Sequence, residues 1–115
     1  MVLEKVAWMN LLWDFYGQLL TSRQRNSIEL YYAQNLSLGE IATELAVSRQ
    51  AVHDTLKRAE HLLTEYEAKL GLVTRFMEQK DLLQETDQLL EQYTQTHEST
   101  QFTQARTIIK TLLET

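Results

Sequence analysis

Two capped segments separated by a three-residue turn constrain this chain more than any other feature it has. From Ser37 to Lys57 it runs Ser-Leu-Gly-Glu-Ile-Ala-Thr-Glu-Leu-Ala-Val-Ser-Arg-Gln-Ala-Val-His-Asp-Thr-Leu-Lys. Ser37 can cap a short helix, and Glu40, three residues on, can reach back to complete a capping box. Ile41, Ala42 and Leu45 then face inward, with Ala42 small where two helices cross. Leu45, Ala46 and Val47 make the turn, Val47 fills the space between the helices, and Ser48 caps a longer second helix. The pattern reads as a helix-turn-helix whose second helix is the candidate recognition helix. Ala46 stands where glycine is common in such turns, and Thr55 where an aliphatic residue is usual.

Placed at helical spacing, the second helix separates into two faces. Val52, Leu56, Ala59, Leu63 and Tyr66 form a core-facing stripe flanked by Ala51, Thr55 and Leu62. Arg49, His53 and Lys57 recur every fourth residue on the opposite side, with Gln50, Asp54, Arg58 and His61 beside them. Such a row suits a major groove, where Arg and Gln match base edges and Lys matches phosphate. The same row is equally what a solvated face on a protein-binding scaffold carries.

The rest of the chain is compatible with helices throughout. It has 115 residues, no cysteine, no proline and glycine only at positions 17, 39 and 71. Few breakers interrupt helical patterns, disulfides and thiolate metal sites are excluded, and the length suits one hydrophobic core. Glu4, Lys5, Asn10 and Asp14 interrupt the apolar residues 1–20, so no run reaches membrane-spanning length; the expectation is a cytoplasmic protein without membrane insertion. The net charge of −5 argues against generic nucleic-acid affinity, yet residues 71–115 hold three of the five excess negatives. Residues 21–70 are nearly balanced, and Arg23, Arg25, Arg49, Lys57 and Arg58 could share a surface, predicting modest, salt-dependent binding.

In chain order, Leu3–Leu20 reads as a helix apolar around most of its circumference. It must be covered on more than one side, either by later helices or by a homodimer contact through Trp8, Trp13 or Phe15. Thr21 and Gln24 form a second capping box opening a helix to about Gln34, with Ile28, Tyr31 and Tyr32 toward the core. Arg23 and Arg25 lie in its first turn, an unfavourable place for cations unless an anion such as phosphate joins them or Glu29 pairs with them. After Gly71, residues 72–93 resume a helical pattern through Phe76, Leu83 and Leu90. Residues 94–101 are polar and expected to form a loop, and Phe102, Ala105, Ile108, Ile109, Leu112 and Leu113 mark a last amphipathic helix. The expected division is a helical domain over 1–70, containing the helix-turn-helix at 37–66, and an extension over 71–115 packed on the same core or on a second subunit.

Catalysis and metal binding find little support. His53, His61 and His97 are the only histidines; the first two are eight residues apart, about 12 Å along a helix, too far to share an ion. His61 and Glu65 alone make a poor ligand set. No glycine-rich phosphate loop or Gly-x-Ser-x-Gly elbow occurs. No cofactor and no enzyme activity are expected.

The segments Met9–Tyr16 (Met-Asn-Leu-Leu-Trp-Asp-Phe-Tyr), Thr21–Asn26 (Thr-Ser-Arg-Gln-Arg-Asn), Glu29–Tyr32 (Glu-Leu-Tyr-Tyr), Ser37–Ala42 and Val47–Val52 together resemble the YlxM-like family of small bacterial helix-turn-helix proteins. The resemblance spans at least Leu3 to about Phe76, and residues after Phe76 carry less of it. The helix-turn-helix itself is similar to the promoter-reading region 4 of bacterial sigma factors, in a chain with no room for the other sigma regions. The resemblance implies an all-α helix-turn-helix bundle with additional C-terminal helices. It also implies a DNA-binding regulator linked to the signal recognition particle pathway through gene neighbourhood. The residues assigned to duplex DNA are Arg23, Arg25, Ser48, Arg49, Gln50, His53, Lys57 and Arg58. The alternative is an accessory of the particle that binds its RNA or its protein GTPase and uses the helix-turn-helix as a docking scaffold.

Overall fold

A computed structural model describes residues 3–115, and its helices start and stop where side chains and backbone handedness dictate. Helix α1 (Leu3–Tyr16) tightens into a 3-10 turn at Gly17–Leu19. The Trp13 indole lies against Gly17 so closely that a Cβ there would sit 2.6 Å from a ring carbon. Only hydrogen fits under that ring. Helix α2 (Ser22–Ile28) opens with the expected capping box: Gln24 N–H donates to Thr21 Oγ1 at 3.2 Å, and Thr21 N–H to Gln24 Oε1 at 3.0 Å. It does not run evenly to Gln34 as the periodicity predicts. Residues Glu29–Ala33 widen into a π turn, closed by Gln34 N–H on Glu29 O at 3.1 Å.

Helix α3 (Leu38–Leu45) carries the Ser37–Glu40 capping box, with bonds of 3.1 and 2.9 Å. Those contacts, first the Ser37 backbone N–H, hold the Glu40 carboxyl below its ordinary range. The α3 terminus is a Schellman closure. Ala46 N–H reaches Thr43 O at 3.3 Å and Val47 N–H reaches Ala42 O at 3.0 Å, with Ala46 left-handed at φ 56°, ψ 45°. Alanine pays a Cβ penalty in that region that glycine does not. Ala46→Gly is therefore expected to raise the unfolding free energy by about 1 kcal/mol, less the added unfolded-state entropy. Chemical denaturation checks it, and a destabilised variant would contradict the strain argument.

Helix α4 (Arg49–Leu70) starts on Ser48, whose Oγ accepts from Ala51 N–H at 3.0 Å, and ends at left-handed Gly71, φ 63°. The described chain divides into two units, one ending at Val73 and one spanning Thr74–Thr115. In the first unit α4 is central and packs against α1, α2 and α3. Its buried stripe of Val52, Leu56, Ala59 and Leu63 meets Met9, Leu12 and Tyr16 of α1, with Ile28, Tyr32, Ile41 and Val73 in the same core. Burial of each larger side chain contributes about 1.5–3 kcal/mol before conformational entropy is charged against it. Val6, Trp8, Leu11 and Trp13 pack on the edges of that core, so the chain itself covers most of α1. Phe15 and Leu19 stay 38% and 57% exposed.

The stripe does not end at Tyr66, which is only partly buried with its ring centroid 6.0 Å from that of Tyr16. It continues to Glu67, 8% exposed. Glu67 Oε1 accepts from Tyr16 Oη at 2.6 Å and from Val73 N–H at 2.9 Å, and Tyr16 Oη accepts in turn from Leu72 N–H at 3.1 Å. Helix α5 (Leu72–Thr96) thus begins with two of its otherwise orphaned N–H groups held by side chains of α1 and α4. Burial, then the bond to Glu67, pushes the Tyr16 phenol above its ordinary value, so it stays a donor.

In the second unit α5 continues to Thr96 and α6 spans Ser99–Leu113. The loop expected over residues 94–101 shrinks to His97 and Glu98, with His97 left-handed at φ 58°. Threonine hydroxyls bond back to carbonyls one turn earlier, Thr94 to Glu91 O and Thr96 to Gln92 O, which keeps this polar stretch helical. The Tyr93 and Phe102 rings, 5.5 Å apart, close the turn.

Candidate nucleic-acid interface

Helix α4 turns its core stripe inward, and its first three turns therefore present the opposite face to solvent. Arg49, Gln50, His53, Asp54, Lys57 and Arg58 are all exposed there. Ser48 is also exposed; its oxygen accepts from Ala51 N–H to cap the helix, and its hydroxyl proton remains to donate elsewhere.

The row is more internally bonded than spacing alone suggests. Gln50 Nε2 donates to Asp54 Oδ1 at 2.9 Å, and His53 Nδ1 lies 3.5 Å from the same oxygen. One carboxylate therefore holds two of the side chains assigned to base edges and places a negative charge among them. Asp54→Asn removes that charge, which is worth roughly 0.5–1 kcal/mol at an exposed site. If this face meets duplex DNA, the substitution should raise affinity about threefold, read by fluorescence anisotropy at fixed salt; unchanged or weaker binding would count against a duplex on this face.

Lys57 is also partnered, its Nζ 3.8 Å from Glu60 Oε2. With His53 it borders a pocket that Lys5 of α1 also lines. Arg25 borders a different depression, beside Trp13, Asp14 and Gln18, and its Nη2 reaches Ser22 Oγ at 3.5 Å. The pairing with Glu29 considered from sequence is not among the ion pairs of the described residues. Arg23 is exposed on the first turn of α2, and Arg58 on α4. The structure brings Ser48, Arg49, Gln50, His53, Lys57 and Arg58 together on one helix; Arg23 and Arg25 belong to another.

Sequence reasoning missed two members of this region. Lys5 approaches Glu60 Oε2 at 4.0 Å although the two lie 55 positions apart in the chain, a contact no local spacing announces. Tyr32 donates to Glu60 Oε1 at 2.5 Å, and burial followed by that bond lifts its phenol well above the ordinary tyrosine range. His61 and Glu65 do pair, at 3.7 Å. No group of three or more His, Cys, Asp or Glu side chains that could hold a metal occurs among the described residues. None of the described helices is long and apolar enough to cross a membrane.

Comparison with known proteins agrees with this architecture. The sequence model of UPF0122, helix-turn-helix proteins described as YlxM / p13 like, matches residues 3–105. A UPF0122 protein of Desulforamulus reducens is 53% identical over 106 residues, covering 92% of this chain and 91% of that protein. One from Bacillus pumilus is 50% identical over 99 residues, covering 86% and 90%. One from Bacillus mycoides is 54% identical over 89 residues, covering 77% and 81%.

Proposed function

The chain belongs to the UPF0122 family of YlxM / p13-like helix-turn-helix proteins, and from that premise we propose that it is a DNA-binding regulatory protein acting on duplex DNA in the cytoplasm. The observation that carries the reading is the capped α3–α4 pair with Arg49, Gln50, His53 and Lys57 exposed on the side of α4 opposite its core stripe. Arg49, Gln50 and His53 read base edges, Ser48 donates at the helix entry, and Arg23, Arg25, Lys57 and Arg58 meet phosphates.

The protein works as a homodimer on this reading. Support comes from apolar side chains that the described chain leaves exposed: Phe15 at 38% and Leu19 at 57% in the first unit, Leu83 at 55% and Leu113 at 80% in the second. Residues 71–115 act as the extension through which the second subunit is engaged. Two helix-turn-helix units related by a twofold axis require a palindromic site.

A second reading is favoured by the charge of the second unit, where four basic residues face seven acidic ones. There the protein is an accessory of the signal recognition particle, with Glu85 and Glu91 meeting a basic partner and α4 serving as scaffold.

One experiment separates the two: a salt titration against random duplex, duplex from the protein's own promoter region, and signal recognition particle RNA. The regulator predicts tightest binding to the promoter duplex. Arg49→Ala should then cost about 1–3 kcal/mol on the preferred sequence and relax preference, whereas Lys57→Ala should weaken all duplexes alike. Equal losses on every duplex for both variants would end the assignment of Arg49 to bases. Binding to the RNA alone, or to neither nucleic acid, would favour the accessory role.

A further inference from the structure

The π turn at Glu29–Ala33 and the carboxylate of Glu60 have no part in the helix-turn-helix assignment, and they meet at one place. Tyr31 and Tyr32, successive residues of the π turn, both line a pocket of about 260 Å³ beside α4, their rings edge to face at 5.0 Å. Such insertions concentrate at functional sites because they cost regular hydrogen bonding. Glu60, only 13% exposed at its side chain, lines the same pocket. Its Oε1 is taken by Tyr32 Oη. Its Oε2 is thereby left to face Lys5 Nζ at 4.0 Å and Lys57 Nζ at 3.8 Å.

Those distances decide the chemistry. A charge-assisted N–H···O bond that satisfied either lysine would be about 2.7–2.9 Å. Both ammoniums are instead drawn to within 4.0 Å of one oxygen without closing on it, and each keeps donors for something else. Two cations against one carboxylate leave the pocket with a net positive charge. His53 lines the same pocket. An acceptor-only ligand with several oxygens fits this donor set, and Leu38 and Leu56 supply the apolar wall that strengthens such contacts.

We infer that the pocket between Lys5, Tyr31 and Lys57, with Glu60 as the positioning carboxylate, is a phosphate-binding site. Phosphate is the anion that the neighbouring face of α4 would deliver, since Lys57 belongs to both. The phosphate is either a backbone group of a bound duplex, which brings Lys5 of α1 into the interface, or a free phosphorylated ligand. The first source rests on the duplex reading above; the second stands without it. Glu60 weakens the site by its own charge, so free phosphate should bind in the millimolar range, as single weak anion contacts do.

The test has two arms, run on the full chain with wild type, Lys5→Gln, Lys57→Gln, Lys5→Arg and the control Lys69→Gln, each checked for native helicity. In the first, inorganic phosphate is titrated at constant ionic strength against a chloride control while ring resonances of Tyr31 and Tyr32 are followed by NMR. Saturable shifts that Lys5→Gln and Lys57→Gln weaken at least fivefold, and that Lys5→Arg and Lys69→Gln retain, support a free-phosphate site. In the second, random-duplex affinity is measured across salt. A Lys5→Gln loss of threefold or more, with the log–log salt slope reduced by about 0.9, supports a backbone phosphate. Shifts no larger than with chloride, together with an unchanged Lys5→Gln slope, overturn the site. If wild type binds no duplex at all, the regulator reading fails, and the first arm alone then decides the pocket.

Discussion

Glu67→Ala is expected to lower the unfolding free energy by about 3 kcal/mol, a large share of the 5–15 kcal/mol typical of a domain. The substitution removes the acceptor of two donors at once, Tyr16 Oη and Val73 N–H, at a position 8% exposed where water does not easily replace it. Each donor left unsatisfied costs about 1–3 kcal/mol. The cavity left by the longer side chain adds to that. Glu67→Gln keeps an oxygen in reach of both donors and should recover most of the loss. Tyr16→Phe keeps the core volume but strips the donor to Glu67 and the acceptor for Leu72 N–H, and should fall between the two. Urea denaturation with unchanged m-values measures all three, and faster amide exchange at Leu72 and Val73 would localise the effect. A Glu67→Ala protein within 0.5 kcal/mol of wild type would mean that the buried oxygen is not what holds this junction.

The second large effect is on binding. Raising salt from about 50 to about 200 mM should weaken duplex affinity roughly 150-fold if Arg23, Arg25, Lys57 and Arg58 each displace one counterion, because the log–log slope is then about −3.6. The chain's net charge of −5 does not set this number; the count of cations at the phosphates does. Each neutralised contact should flatten the slope by about 0.9, so the Lys57→Ala and Arg58→Ala slopes test the assignment residue by residue. A slope between −1 and 0 for wild type would remove Arg23, Arg25, Lys57 and Arg58 from the interface as a group.

What the sequence made legible was whatever repeats locally. Both capping boxes, the Ser48 cap and the stripe Val52, Leu56, Ala59 and Leu63 follow from spacings of three and four residues, and all occur. The spacing of Gln50 and Asp54 already contained their hydrogen bond, although both side chains read as free donors or acceptors on an open face. Glu67 was hidden because a charged residue in register with an apolar stripe looks like the stripe's end. The visible hint was Gly71 four residues on, which forces the chain to turn back toward that carboxylate. The helical stretch over residues 94–96 was hidden for the opposite reason, since polar composition was read as loop while threonine back-bonding keeps the helix going. The π turn and the Lys5–Glu60 approach have no sequence signature, because both depend on how α1 and α2 dock on α4.

The bond between Tyr16 and Glu67 joins residues 51 positions apart, and that between Tyr16 and Leu72 joins residues 56 apart. A ribosome adding about 5–20 residues per second needs several seconds to supply the second partner of either. Through that interval α1, apolar around most of its circumference, has been made while the helix that covers it has not. The nascent chain therefore passes through a stage in which this apolar segment lacks its cover, and the closing of Tyr16 onto Glu67 marks the end of that stage. Anything that stalls translation between α2 and the end of α4 should prolong the exposure of α1, making the pace of synthesis across residues 29–70 a determinant of yield.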